Sequence, residues 1–159
     1  HGQSGVEAAI KLHPLVKDRI DDIKRVDVQC HNSTMVILDK TGPLANPADR
    51  DHCMRYMMAV GMIFGQLTAQ DYEDERAADP RIDALRAKMH LSESAVFERE
   101  YHDPAKRTNA NSIQVCLLSA ITPLSLFHLL SWRYPMALPK SSCEPGLFHT
   151  QHLVKYLHH

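Results

Sequence analysis

The sequence predicts an α+β fold: a small mixed domain with helices packed on a short, mostly antiparallel sheet, and an irregular C-terminal segment. Residues 25–31 alternate apolar and polar side chains, which is the period of a strand buried on one face. From residue 46 onward apolar side chains recur every three or four positions, which is the period of a helix. Strands and helices mix without a regular βαβ repeat, which favours α+β over a doubly wound sheet.

A short helix is expected near the start of the chain. Ser4 and Glu7 have the spacing at which each side chain can bond the other's free backbone N–H at a helix start. Pro14 lacks the N–H that a helix interior needs, so this helix should end or bend there. The first strand, residues 25–31, follows.

The segment before the second helix carries clear local signals. Gly42 and Pro43 indicate a turn. Asn46 is a good N-cap, and Pro47 suits the first helical position. The helix should run to about residue 67, and Gly61 and Gly65 within it predict close approach of another backbone. Its wide, Met-rich apolar face predicts burial on most sides and comprises Cys53, Met54, Met57, Met58, Val60, Met62, Phe64 and Leu67.

Two further helix starts and two further strands complete the prediction. Thr68 with Asp71, and Asp79 with Pro80, indicate caps for helices at residues 69–77 and 80–89. Residues 95–101 and 112–115 are predicted as strands, joined by a polar connection.

Length and composition fit one domain of ordinary size, with 159 residues, 44% apolar residues and a net charge of -1. No bulk charge would attract nucleic acid or an anionic membrane, so neither is expected as a partner. Residues 116–159 are interrupted by Pro123 and Pro135, which argues against a membrane span. No fold is assigned to this segment, whose only charged residues are Arg133, Lys140, Glu144 and Lys155.

Two polar segments are candidates for function. The loop and helix start at residues 39–52 carry Lys40, Arg50 and His52, side chains that can hold carboxylates or move protons near neutral pH. A helix N-terminus also suits an anionic ligand. A capped, solvated helix start with local charge pairs accounts for the same residues. In residues 101–107, His102 and Arg107 could bind carboxylate, although a polar connection has the same composition.

A metal site receives little support from the sequence. The pairs Cys30-His31 and His52-Cys53 could converge as four ligands. Adjacent ligands depart from the usual spacing of zinc sites, so no metal is expected.

Two long blocks resemble the MmgE/PrpD family of 2-methylcitrate dehydratases. They are "DKTGPLANPADRDHCMRYMMAVGMIFGQLTAQDYEDERAADPRIDALRAKM" and "YHDPAKRTNANSIQV". The likeness runs from "HGQSGVEAAI" to about Val115. It implies that residues 1–115 form the smaller α+β domain of a larger enzyme, whose helical domain lies outside this sequence and shares the active-site cleft.

The resemblance also implies a reaction. Dehydratases of this family remove water from the tricarboxylate 2-methylcitrate, giving 2-methyl-cis-aconitate in propionate breakdown, without the iron-sulfur cluster of aconitase. No cofactor is therefore expected. The reaction needs a base, an acid and cations for three carboxylates. His52 is the expected catalytic residue, and the expected substrate-binding residues are Lys40, Arg50, His102 and Arg107.

The chain departs from the family pattern after Val115. Residues 116–159 are therefore expected to be a divergent tail, as a retained intron or a frameshift would produce, and the isolated fragment is expected to be inactive. The alternative is a noncatalytic interaction or assembly module that docks through the Met-rich helix, and a homodimer is one possible assembly. The resemblance implies the mitochondrial matrix in a eukaryote and the cytoplasm in a bacterium.

Overall fold

The computed structural model describes residues 1–106 and 108–118, so Arg107 and residues 119–159 of the expected tail lie outside the described residues. Two 3₁₀ turns occur at Lys17–Arg19 and Ala69–Tyr72. The helices and strands are, in order, α1 (Gln3–Val16), β1 (Ile23–Cys30), α2 (Asn32–Leu38), α3 (Pro47–Asp51), α4 (Met54–Phe64), α5 (Asp74–Ala77), α6 (Pro80–Arg86), β2 (Met89–Glu93), α7 (Ala95–His102) and β3 (Ser112–Leu117). The α+β class is confirmed.

The sheet has the strand order β2-β1-β3. Strand β1 pairs with β2 in parallel and with β3 in antiparallel orientation, so one of the two pairings has the expected direction and the sheet is mixed. Val26 in the central strand lies opposite both Met89 and Val115. Its side chain and that of Val28 are fully buried, which confirms the alternation read from residues 25–31.

Helices α1 and α4 pack against each other and hold most of the core. A Cβ added to Gly61 would lie 3.4 Å from the backbone nitrogen of Ile10, so the close approach expected there is confirmed, whereas the neighbour of Gly65 is the His13 side chain. The Met-rich face of α4 is buried inside the domain, and the side chains of Met54, Met58 and Met62 are fully covered. No described helix has both the length and the apolar character needed to cross a membrane.

The strand expected at residues 95–101 is wrong, because this segment forms helix α7. The hydroxyl of Ser94 accepts a hydrogen bond from the Phe97 N–H and caps the helix. Glu98 and His102 then pair one turn apart, at 2.9 Å. The four-residue spacing of Phe97 and Tyr101 fits one face of a helix as well as one face of a strand.

The single helix expected at residues 46–67 is wrong, because it is divided into α3 and α4. Between them Cys53 forms an isolated antiparallel bridge with Asp39, which interrupts the helical hydrogen bonds. The cap at Asn46 is confirmed, since its side chain accepts from the Asp49 N–H at 2.9 Å. Helix α4 ends at Phe64 and is capped by Gly65, whose φ of 72° is left-handed.

Other helix boundaries in the structure also differ from those predicted from the sequence. Helix α1 is capped at Gly2, because Ser4 is buried and receives a 2.6 Å hydrogen bond from Asn111 instead of capping. The helix passes Pro14 and ends at Val16. Helix α2 and strand β2 were not anticipated, and the helix expected at 80–89 ends at residue 86.

Candidate active site

A cleft of about 410 Å³ lies between the start of α1, the end of α2 and the junction of α3 with α4. Its apolar lining consists of Val6, Ile37, Leu38, Met57 and Leu67. Its polar lining consists of His1, Gln3, Glu7, Asp51, His52 and Tyr72. The cleft therefore combines an apolar part with two imidazoles and four other hydrogen-bonding or acidic side chains at its rim.

His52 stands at the point where α3 ends, and its side chain is 62% exposed. Its Nδ1 is bonded to the carboxylate of Asp51, which also lines the cleft. This hydrogen bond and the negative charge of Asp51 raise the pKa of His52 above its ordinary value. The imidazole is thus charged over a wider pH range than a free histidine, which suits it to donate a proton.

Lys40 lies beside the start of α3 and pairs with Asp49. The Asp49 carboxylate also accepts from the backbone N–H of Ala45 at 2.9 Å, and the hydrogen bond from Lys40 lowers the pKa of Asp49. Lys40 lies outside the cleft lining and is largely exposed. Its ammonium group is held by a neighbouring carboxylate rather than directed into the cleft.

Arg50 is buried, with 5% of its side chain exposed. One guanidinium nitrogen donates to the Tyr72 carbonyl and another to the Asp74 carboxylate, both at 2.7 Å. Because Tyr72 lines the cleft, Arg50 contacts the cleft wall from behind. The side chain ties α3 to the segment that leads into α5.

His102 lies at the end of α7, outside the cleft lining, and is 66% exposed. It bonds Glu98, whose carboxylate also accepts from the Asn32 N–H at 2.7 Å. The structure does not bring His102 into the lining that His52 shares. Arg107 lies outside the described residues.

Three aromatic side chains, His1, His31 and Tyr101, form what we call the ring cluster. The rings of His31 and Tyr101 are stacked, with centroids 4.0 Å apart and planes 9° apart. The His1 ring lies 5.6 Å from that of His31 and 5.9 Å from that of Tyr101. Since His1 lines the cleft, the cluster reaches its rim. For function, sequence reasoning considered His31 only as a metal ligand and Tyr101 only as part of the polar segment 101–107, and it did not join the three rings, because no local pattern connects positions so far apart.

The two Cys-His pairs considered as metal ligands do not form a site. Cys30 and Cys53 are buried free thiols. Burial raises the pKa of Cys30 to about 12, so this thiol stays protonated, whereas a metal binds the thiolate. Within residues 1–106 and 108–118, no group of three or more His, Cys, Asp or Glu side chains could hold a metal ion.

Comparison with known proteins identifies the family. The family model for the MmgE/PrpD C-terminal domain matches residues 1–122. The chain is 52% identical over 120 residues to a 2-methylcitrate dehydratase of Cupriavidus necator, covering 74% of this chain and 25% of the relative. It is 50% identical over 116 residues to 2-methylcitrate dehydratase of Escherichia coli O157:H7, covering 71% of this chain and 24% of the relative. The mitochondrial 2-methylcitrate dehydratase of Yarrowia lipolytica is 48% identical over 120 residues, covering 74% of this chain and 23% of the relative. The chain spans about a quarter of the length of these relatives, and it belongs to the MmgE/PrpD family through the C-terminal domain.

Proposed function

We propose that this chain is part of a 2-methylcitrate dehydratase and supplies one wall of its substrate cleft. The observation that carries the proposal is the Asp51-His52 pair at the rim of a cleft in a domain of this family. The relatives that share about half of its residues are named for that activity.

Elimination of water requires two proton transfers. A base removes a proton from carbon, and an acid protonates the departing hydroxyl. His52 suits the second step, because the hydrogen bond to Asp51 and its negative charge raise the pKa of His52 and so favour the protonated ring. His1 is a second imidazole on the same wall, and a neutral imidazole can accept a proton.

The substrate's carboxylates need cationic partners. Lys40 and His102 are exposed enough to turn toward a carboxylate if they exchange their present partners, Asp49 and Glu98. Arg50 is already engaged by Tyr72 and Asp74, so we assign it to holding the cleft wall. Arg107 stays a predicted substrate contact.

The isolated chain is proposed to be inactive, since it spans about a quarter of its relatives and its cleft opens to solvent. The opposite wall would come from the helical domain of the full-length enzyme. The alternative role, docking through the Met-rich face, finds no support in the packing, because Met54, Met58 and Met62 are buried in the domain's own core. We propose a mitochondrial location in a eukaryote, as the Yarrowia relative's name states for that protein, or a cytoplasmic one in a bacterium.

A chimeric enzyme tests this proposal. Residues 1–118 replace the matching segment of the Cupriavidus relative, and formation of the unsaturated product from 2-methylcitrate is followed by ultraviolet absorbance. The chimera is expected to turn over, and His52→Ala should lower kcat by about 10²–10⁴-fold, the usual range for an acid-base residue. His90→Ala is the matched control, because His90 is an exposed histidine on β2, away from the cleft.

Two outcomes would contradict the proposal. Undiminished turnover in the His52→Ala chimera would remove His52 from the chemistry. Turnover by the purified chain alone would show that no second wall is needed.

A further inference from the structure

We propose that His31 is a positioning residue, which holds the His1 imidazole at the rim of the cleft through stacked Tyr101 and through Thr34. The inference rests on the proposed function insofar as His1 takes part in proton transfer there. The contacts themselves do not depend on any activity.

The first support is the placement of the rings. His31 is fully buried, and its ring lies flat against that of Tyr101, at 4.0 Å between centroids. The exposed His1 ring meets both of these rings within 6 Å, edge-on to His31 and tilted to Tyr101. Two rigid rings thus limit the orientations open to the His1 side chain.

The second support is a relay of hydrogen bonds from His31 to the His1 main chain. We assign the His31 proton to Nε2, because that nitrogen lies 2.9 Å from the Asn109 Oδ1 acceptor. The same Nε2–H is shared with the Thr34 hydroxyl oxygen, which accepts at 3.1 Å, and the Thr34 hydroxyl donates its own proton to the His1 carbonyl at 3.2 Å. The His1 ring therefore contacts the rings of His31 and Tyr101, and the His1 backbone accepts a hydrogen bond from Thr34. Tyr101 and Thr34 both contact His31.

The third support is the chemistry of the position itself. Burial lowers the pKa of His31 and so favours its neutral ring, although the hydrogen bond to Asn109 acts in the opposite direction. Its Nδ1 has no hydrogen-bond partner among the described residues. If His31 only filled space in the core, an apolar side chain would be more stable at this position, because a buried polar atom without a partner is unfavourable.

Histidine spectra of the complete chain test the positioning without any assay of activity. The ring signals of His1 are identified by their loss in His1→Gln. In Tyr101→Leu the neighbouring ring is removed, so the His1 signals should shift toward those of an exposed histidine, while those of His90 stay in place. Tyr101→Phe keeps the ring and is expected to match the parent chain.

Thr34→Val is a second variant that retains shape and both rings while removing the hydroxyl. It should broaden or shift the His1 signals and leave the circular dichroism unchanged. His1 signals that are unaltered in both Thr34→Val and a folded Tyr101→Leu would overturn the proposal. If Tyr101→Leu does not fold, Thr34→Val alone decides.

The chimeric enzyme gives the functional consequence. Thr34→Val should lower kcat by roughly tenfold with KM unchanged, because misplacing a reacting group slows chemistry more than binding. An unchanged kcat would confine the relay to a structural role and overturn its link to the cleft. If the unmodified chimera has no turnover, the proposed function fails, while the spectra still decide whether the contacts through Tyr101 and Thr34 hold His1.

Discussion

The guanidinium of Arg50 and the main-chain carbonyl of Tyr72 are joined by a 2.7 Å hydrogen bond, although 22 positions separate them in sequence. Arg50 sits in α3, beside the Asp51-His52 pair, and Tyr72 lines the same cleft. This bond fixes the distance between two parts of the wall. A charged residue that sequence reasoning assigned to substrate is thus engaged within the protein.

Arg50→Ala should lower the free energy of unfolding by about 1–3 kcal/mol, because the Tyr72 carbonyl loses its donor and the packed side chain is removed. Urea denaturation of the purified chain measures this. Arg81→Ala is the matched control, because half of the Arg81 side chain is exposed and its pair with Asp79 should contribute less than about 1 kcal/mol. Equal losses of unfolding free energy in the two variants would mean that the buried contacts of Arg50 contribute no more stability than an exposed pair.

Gly65→Ala should be more destabilising than Gly42→Ala. Both glycines have left-handed backbone, with φ of 72° and 84°, so each alanine adds roughly 1–2 kcal/mol of strain. At Gly65 the new Cβ would also lie 2.7 Å from the His13 ring, whereas nothing lies within 4 Å at Gly42. The His13 ring is held by a 3.0 Å hydrogen bond to the Met62 carbonyl, so it cannot move aside freely. Thermal unfolding compares the two variants, and equal Tm losses would contradict the steric argument.

Asp51→Asn should lower the pKa of His52 toward its ordinary value of about 6.5, because the carboxylate that stabilises the charged ring is removed. Titration of the His52 ring signals by NMR gives the pKa directly. Asp83→Asn serves as control, since Asp83 pairs with Arg86 on α6. A titration curve that does not move in Asp51→Asn would refute the assigned cause.

Acidification should destabilise the domain through His31. Its pKa is lowered mainly by burial, while the hydrogen bond to Asn109 and the charge of Glu98 act against this, and the N-terminus and His102 add to it. A group whose folded pKa lies below its unfolded value of about 6.5 contributes stability that is present above that pH and lost below it.

The free energy of unfolding of the parent chain, measured with urea, should therefore fall between pH 7.5 and 5.5, by at most about 1.4 kcal/mol per pH unit from this residue. His31→Phe should show a smaller fall, and the exposed-site control His90→Gln should retain the full fall. His52 acts in the opposite sense, since its raised pKa adds stability below pH 6.5 that is lost as pH rises through the folded value. An identical pH slope in His31→Phe and the parent would exclude His31 as the source.

Much of the fold could be read locally. The alternation at Val26 and Val28 predicted β1, and Asn46 predicted the start of α3, because burial on one face and a side-chain cap are properties of a few neighbouring residues. Residues 95–101 were misread because Phe97 and Tyr101 fit either period. The cap supplied by Ser94 was the local signal that could have decided it.

The cleft was predicted less completely. His52 was singled out because a histidine beside charged residues at a helix end has evident chemistry, and it does line a cleft. The ring cluster could not be predicted, since His31 and Tyr101 lie 70 positions apart and meet only when α7 packs against the end of β1. His31 lies outside the two family-like blocks, and Tyr101, which opens the second block, carries no local signal of a contact with His31.

The sequence by itself determined the family, the α+β class, the central strand and the helix caps, because these depend on residue types at short spacings. Only the tertiary structure decided which charged side chains are already engaged within the protein. Lys40 and Arg50 look alike as free cations in sequence, yet one pairs at the surface and the other is buried against a carbonyl. The partner of a long side chain depends on which distant backbone folds against it, and no local pattern encodes that.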